Sequence, residues 1–443
     1  MNQTAVSRRR FLRDSAGAAV ATAAPVILSR RARARSKTLK ISQWKHFVPS
    51  FDDWFSGTYV KEWGERNDTE VIVDYVALDD IGNRAQAEVA AGRGHDLFIF
   101  LVPHAAYEDQ VIDHREIYEE CRRRYGPASD YALRSTVNPR IDKAYGFLVS
   151  YHPALTIYRK DLWDEVRWAP DSWENILAGG RWIKLAHNKA IGFSLAPEAN
   201  SNQTMRAIMY SFGSSEQDLD ANPALKSPAT LEALKYVKSV YQEAMVDEVL
   251  NWDPASNNRF MLNGEGSLTL DTISIPRASE SMDLPFAKDL WLAKAPAGPV
   301  ARAAPSFGLH SYVIWKFAEN IEGAKQFLVD YIGHSREAFL ASGFQNTPTF
   351  PGAVPDLPQL VNADAAADRT GKYALLTEVA SWSTAVGYPG YTNPAVSEVF
   401  HKGLIPIMFA KAATGRLTPE AALDEADAEL RRIFAKWRAD GKI

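Results

Sequence analysis

The pattern of apolar and polar positions has one dominant feature, an unbroken apolar run at Leu97–Val102. Gly92 and Gly94 lead into it, and Pro103 and His104 stop it. A six-residue run of this kind suits a strand buried on both faces, as in a parallel sheet. In open α/β sheets, ligands gather beyond the carboxyl ends of the strands. The loop Pro103–Tyr107 is therefore expected to face whatever the protein binds. Upstream, Leu39–Trp44 alternates apolar and polar residues and predicts a first strand. Lys45–Phe55 reads as a loop, and Tyr59, Val60 and Trp63 then fall at helical spacing. Glu70–Val76 predicts a second strand, and Ile81–Ala91 a helix with Ile81, Ala85 and Val89 on one face. This β-α-β-α-β order implies a parallel α/β sheet with right-handed crossovers.

The pattern continues through the chain. Ala144–Tyr151, Leu155–Tyr158, Ile191–Leu195, Ser267–Asp271, Leu290–Ala293 and Gly308–Trp315 predict strands. Ser172-Trp173-Glu174 and Ser227-Pro228 are helix starts, and Gln203–Phe212, Asn257–Asn263 and Ile321–Ile332 predict helices. Gln345–Pro358 is a proline-rich loop, and Val396–Ala413 reads as one helix. Thr418-Pro419-Glu420 opens the last helix, with Leu423, Ala426, Leu430 and Phe434 on its buried side. No repeat of 20–50 residues is found.

At 443 residues the chain exceeds what one hydrophobic core holds, which makes two domains the default. Residues 1–34 stand outside the fold. Ser7-Arg8-Arg9-Arg10-Phe11-Leu12-Arg13 is a twin-arginine export signal, followed by a small-residue apolar stretch from Ala16 to Leu28. That stretch is too short and too weakly apolar for a permanent membrane span. Ala32-Arg33-Ala34 has the form of a cleavage site, and a free protein in a bacterial periplasm is expected. The segment carries seven Arg and one Asp, so its removal leaves 43 basic and 53 acidic residues, a net of −10. Such a balance argues against nucleic-acid or anionic-membrane partners. The only cysteine, Cys121, cannot form an intramolecular disulfide.

On these residues the chain resembles the family 1 extracellular solute-binding proteins of ABC importers, the maltose-binding-protein-like group. Ala90–Ala106, with Asp96, looks like that group's small-residue turn, "DI", apolar strand and pocket loop. Leu155–Trp163 looks like its "L…YNKDL" segment, with Arg159 in place of Asn, and Trp173-Glu174 matches "TWEE". Phe260–Asp271 is similar to "F-x-x-G-x-x-A-M", and Ala413–Leu430 resembles "SG…T-x-E-E-A-L". The loop Trp44-Lys45-His46-Phe47 departs from the small polar loop common after the first strand. The resemblance implies two α/β lobes, each with a mainly parallel sheet flanked by helices, joined by a crossed hinge. Carried over, one lobe is Lys37–Phe147 with Val300–Ile332, and the other Leu148–Gly298 with Gly333–Ile443. It also implies an inner-membrane ABC permease as partner, a monomer, and a small solute held between the lobes without cofactor or metal.

A carbohydrate or polyol offers hydroxyls, which want carboxylates and amides, and C–H faces, which want flat aromatic rings. Asp79 and Asp80, beyond the second strand, are either ligand acceptors or the cap of the next helix. His104 follows the apolar strand, as a ligand donor or a surface histidine. Trp44, His46 or Phe47 is expected in the pocket, and Asp271 at a strand end is a pocket acceptor or a turn residue. Trp382 and Tyr388 lie in an aromatic, glycine-rich stretch where the family often carries stacking aromatics, and both are expected to contact ligand. A cationic ligand such as a polyamine is the second reading, through acids and Trp. A phosphorylated polyol would need convergent arginines, and Arg84, Arg206 and Arg259 are not grouped in sequence. His-Glu-x-x-His, Gly-x-Ser-x-Gly, Walker and Gly-x-Gly-x-x-Gly motifs are absent, and the nine histidines lack metal-ligand spacing. A periplasmic glycan-acting enzyme is the competing class, since paired carboxylates are common enough to supply one.

Overall fold

A computed structural model describes residues 37–443, apart from 79, 365–366 and 368–370. The export signal and Asp79 thus lie outside the described residues. The described residues build two main sheets, two further two-stranded ones, and two hydrophobic cores. The larger sheet has the order Thr347–Pro348, Phe147–His152, Phe307–Ile314, Leu97–Phe100, Lys37–Gln43, Thr69–Tyr75. The smaller runs Leu290–Ala293, Leu155–Arg159, Gly266–Asp271, Ala190–Ile191.

The N-terminal β-α-β-α-β unit forms as the periodicity predicts. Lys37–Gln43 pairs in parallel with Thr69–Tyr75, in register from Lys37↔Thr69 to Gln43↔Tyr75, and with Leu97 through Ile41. All four residues of Leu97–Phe100 are buried. Asp96, just before this strand, is buried and fixes two neighbours: its carboxylate accepts the Lys40 N–H and the Asn320 N–H, both at 2.8 Å. Its place is in the frame of the fold, away from the loop at the far end of the strand.

Where mainly parallel sheets are expected, both sheets are mixed. Phe307–Ile314 returns antiparallel between Leu97–Phe100 and Phe147–His152, and Leu155–Arg159 is antiparallel to both its neighbours. One strand, Phe147–His152, passes from one core to the other: Phe147 and Val149 pack in the first core, Leu148 and Tyr151 in the second. The first core also takes Ala338 and Phe350, and the second takes Tyr131 and Ala132.

Two helices differ from expectation in ways that shape the cleft. The helix expected from Gln203 starts at Ala199, because the Glu198 carboxylate caps it, accepting the Asn200 and Ser201 N–H groups at 2.6 Å each. The helix expected over Val396–Ala413 is two, Pro394–His401 and Leu404–Ala413. Gly403 breaks it, with φ +61°, and a Cβ there would meet the Pro197 side chain at 2.7 Å. The break ends a helix at His401, beside Pro197 and Glu198. Lys45–Phe55, expected as loop, contains the helix Pro49–Trp54. Among the described residues, no helix is long and apolar enough to cross a membrane.

Candidate functional site

A cavity of about 400 Å³ opens between the two cores. One wall belongs to the first core and carries Phe47, Leu78, Leu101, Phe307 and Leu309. The opposite wall carries Pro197, Glu198, Asn200, Asn202, Asn258, Asp271, Thr272, Ser274, Phe400 and His401. The second wall is assembled mainly from element ends: the capped start of Ala199–Ser211, the end of strand Gly266–Asp271, the start of Ser274–Ser281 and the end of Pro394–His401, with Asn258 from Ser256–Leu262.

Asp271 is the expected residue that lines this cavity directly. Its carboxylate accepts the Thr272 N–H at 2.6 Å and the Asn257 amide at 2.5 Å. Burial nevertheless pushes its pKa up to about 7, with the charge of Glu198 adding to the rise. Burial raises Glu198 as well. Asn200 donates to the Leu270 carbonyl at 3.2 Å, and its buried Oδ1 has no protein partner. His401 donates from Nδ1 to the Ser397 carbonyl at 2.7 Å, which leaves Nε2 as an acceptor. Among the described residues, no Lys or Arg lines the cavity. Arg84 pairs with Glu88, Arg259 with Asp253, and Arg206 with Glu216 in a fully buried pair at 2.7 Å.

Apart from Phe47, the other expected residues that the structure describes lie elsewhere. His104 does not line the cavity but stacks face to face on His401, with ring centroids 3.9 Å apart at 16°. Burial and the neighbouring ring hold His104 well below the usual histidine range. Trp44 is fully buried, and its indole N–H donates to the Leu309 carbonyl at 2.8 Å. His46 is buried beneath it: Nδ1 accepts the Val48 N–H at 2.9 Å, and Nε2 donates to Asn346 Oδ1 at 3.1 Å. Of that loop, Phe47 reaches the cavity. Asp80 is exposed at the start of Ile81–Ala91 and accepts from Asn83 at 3.1 Å.

Trp382 is 2% exposed within the second core, its indole N–H donating to the Ala154 carbonyl at 2.9 Å. Tyr388 packs on Tyr210 with centroids 5.5 Å apart. Gln217 donates to the Gly387 and Tyr391 carbonyls at 2.8 Å each, which fixes the glycine-rich stretch against the second core. An aromatic in a glycine-rich segment signals a binding loop only when the segment is exposed, and this one is covered.

Sequence reasoning passed over Glu198, Asn200, Asn258, Phe307, Leu309 and His401. The polar run Glu198–Gln203 was the available signal for the first two, because a carboxylate before a helical segment is a cap. His46, His152 and His310 also converge, with ring centroids 5.6–6.0 Å apart, from positions far apart in the chain. Among the described residues, no group of three or more His, Cys, Asp or Glu is arranged to hold a metal ion.

The fold is shared with solved solute-binding structures. A maltose-bound protein of T. maritima, MalE3, is 16% identical, with 90% of this chain and 100% of that one covered and a TM-score of 0.74. A solute-binding protein of Agrobacterium radiobacter K84 in complex with ribitol is 15% identical, with 90% and 99% covered and a TM-score of 0.71. A sugar transporter of Arthrobacter chlorophenolicus A6 with bound laminaribiose is 15% identical, with 89% and 99% covered and a TM-score of 0.74. Comparison with curated proteins gives no match. Over residues 58–369 the sequence matches the family described as bacterial extracellular solute-binding protein, and the chain, with its two α/β lobes and the cavity between them, belongs to that family.

Proposed function

We propose that this protein is the periplasmic receptor of an ABC importer and captures a neutral, polyhydroxylated solute, a carbohydrate or polyol, in the cavity between its lobes. One observation carries the choice of ligand: the second wall is an array of acceptors. Asp271, Glu198, the unpartnered Asn200 Oδ1 and His401 Nε2 all want donors. Hydroxyl groups supply donors without bringing charge, and hydrogen bonds to ionised carboxylates are stronger than neutral ones. A sugar acid or sugar phosphate would meet two carboxylates and, among the described residues, no lysine or arginine, which disfavours it by like-charge repulsion. The maltose, ribitol and laminaribiose bound by the similar structures support this class.

Closure is expected to move the lobe built on the first core against that built on the second, with ligand contacts on both sides favouring the closed state. The twin-arginine signal would deliver the folded monomer to the periplasm, and an inner-membrane permease would receive the solute. The protein binds and does not turn over its ligand.

A thermal-shift screen tests this, with maltose, laminaribiose, ribitol and glucose set against spermidine and putrescine. A true ligand at a hundred times its Kd stabilises the fold by about 2.7 kcal/mol. Asp271→Ala is expected to weaken the best sugar or polyol at least tenfold by calorimetry. A shift produced by polyamines alone would move the assignment to a cationic solute. Product release from an oligosaccharide would make the protein an enzyme.

A further inference from the structure

The wall opposite the acceptors has no counterpart to them. Among the described residues, the first-core side of the cavity consists of Phe47, Leu78, Leu101, Phe307 and Leu309. From this asymmetry we infer that the solute is amphiphilic: a polyhydroxylated head faces Asp271, and an alkyl or similar apolar substituent lies along the Phe and Leu wall. This inference rests on the polyol reading above and narrows it.

Three observations support it. The first concerns unmade hydrogen bonds. An unsubstituted sugar carries hydroxyls around its whole rim, and those turned to the apolar wall would lose water and gain no partner. The second concerns shape. Sugar C–H faces stack on flat rings, which Phe47 and Phe307 supply, but the rest of the wall, Leu78, Leu101 and Leu309, is branched aliphatic with no flat surface. A hydrocarbon chain fits such a surface, and a pyranose gains less from it.

The third is that the wall is fixed in place. Phe307 and Leu309 stand two residues apart on one strand, and both line the cavity. Gly308 between them turns to the other side, where a Cβ would lie 3.0 Å from Pro103 and 3.3 Å from Leu148. The buried Trp44 holds the Leu309 carbonyl and packs on Phe47 with ring centroids 5.4 Å apart. Phe47 itself is 38% exposed at the cavity mouth. Trp44 is thus a positioning residue for the apolar wall. Among the described residues the lining has two carboxylates and no Lys or Arg, which favours a neutral head group and separates this ligand from fatty acids and phospholipids.

Calorimetric titration of the mature chain tests the inference with methyl, butyl and hexyl members of three neutral series: glucosides, maltosides and glycerol ethers. Glucose, maltose, glycerol and hexanol serve as parents and apolar control. In at least one series, affinity is expected to rise roughly three- to fourfold per added methylene until the wall is covered, the 0.8 kcal/mol of a buried CH₂ expressed as a ratio. Phe47→Gln and Leu78→Gln, both at the accessible mouth, are expected to reduce that gain per methylene, with circular dichroism checking the fold. Asp271→Ala is expected to weaken every member of the series. Equal affinity for parent and hexyl compounds overturns the inference and leaves the polyol reading intact. Hexanol binding as tightly as the hexyl glycosides overturns the polyol reading, because the head then contributes nothing. No binding by any compound overturns both.

Discussion

Asp271 joins the chemistry of the site to the stability of the fold. Its pKa in the folded protein, about 7, stands above the ordinary 3.8 because burial penalises the charged form. A raised carboxyl means that the folded state binds the proton more tightly than the unfolded state does. The stability it contributes is therefore present at acid pH and is lost as pH rises from about 4 to about 7. A shift of that size corresponds to something of order 4 kcal/mol. Asp271→Asn is expected to flatten the pH dependence of the urea midpoint across that window and to raise the midpoint at pH 8. Ligand affinity in the wild type should move the other way, tightening as pH rises through 7 and the carboxylate becomes the stronger acceptor. Asp271 could be found in the sequence because it ends an apolar strand, and strand ends face ligands. Asn200 was within reach through the polar run Glu198–Gln203, whose carboxylate caps the helix. His401 was not, because the helix end it occupies is decided by a contact, Pro197 excluding a side chain at Gly403.

At the scale of elements, local pattern and tertiary setting carry different information. The helix Ile81–Ala91 and the strand Leu290–Ala293 form over the residues that periodicity predicts. Periodicity says which residues are apolar on one side and nothing about what covers them. Trp382 shows the difference: a tryptophan among glycines reads as a binding loop, while its indole is spent on the Ala154 carbonyl inside the second core. Trp382→Ala is expected to cost about 3–5 kcal/mol of unfolding free energy, as other large-to-small core changes do, with sugar affinity retained. A loss of affinity without a loss of stability would place Trp382 back at the ligand. Gly403→Ala tests the helix break. It forces an L side chain into positive φ against Pro197, and should lower both the melting temperature and ligand affinity by displacing Phe400 and His401.

The whole molecule is two cores joined by strands, and the junction holds buried histidines. His46, His152 and His310 come from three separate segments, and burial holds all three below the usual range, His46 at about 4. His152 and His310 are lowered further by their histidine neighbours; Gln345 and Asn346 meet the cluster as uncharged partners. A histidine with a depressed folded pKa costs nothing above 6.5. As pH falls from 6.5 toward 4, the unfolded chain takes up protons that the folded junction refuses, and stability is lost. This opposes the gain from Asp271 over the same range. Acid denaturation followed by fluorescence is expected to have its midpoint shifted to lower pH in His46→Gln, whose side-chain amide can keep the bond to Asn346. An unmoved midpoint would show that the junction does not govern acid stability. The order of the elements, and with it the family, was readable along the chain. The junction was not, because its histidines are separated by more than a hundred residues and meet only when the sheet closes.

Cys121 lies fully buried on the helix Arg115–Tyr125, and burial pushes its thiol up to about 12. At neutral pH it is almost entirely the thiol, which is the unreactive form. A protein whose single native cysteine is chemically silent needs no cysteine removed before a new one is introduced. Asp80→Cys, at an exposed position two residues from the cavity-lining Leu78, would give one reactive sulfur per molecule. A polarity-sensitive dye attached there would report lobe closure directly. The native chain is thus already a background for an optical sensor of its own ligand.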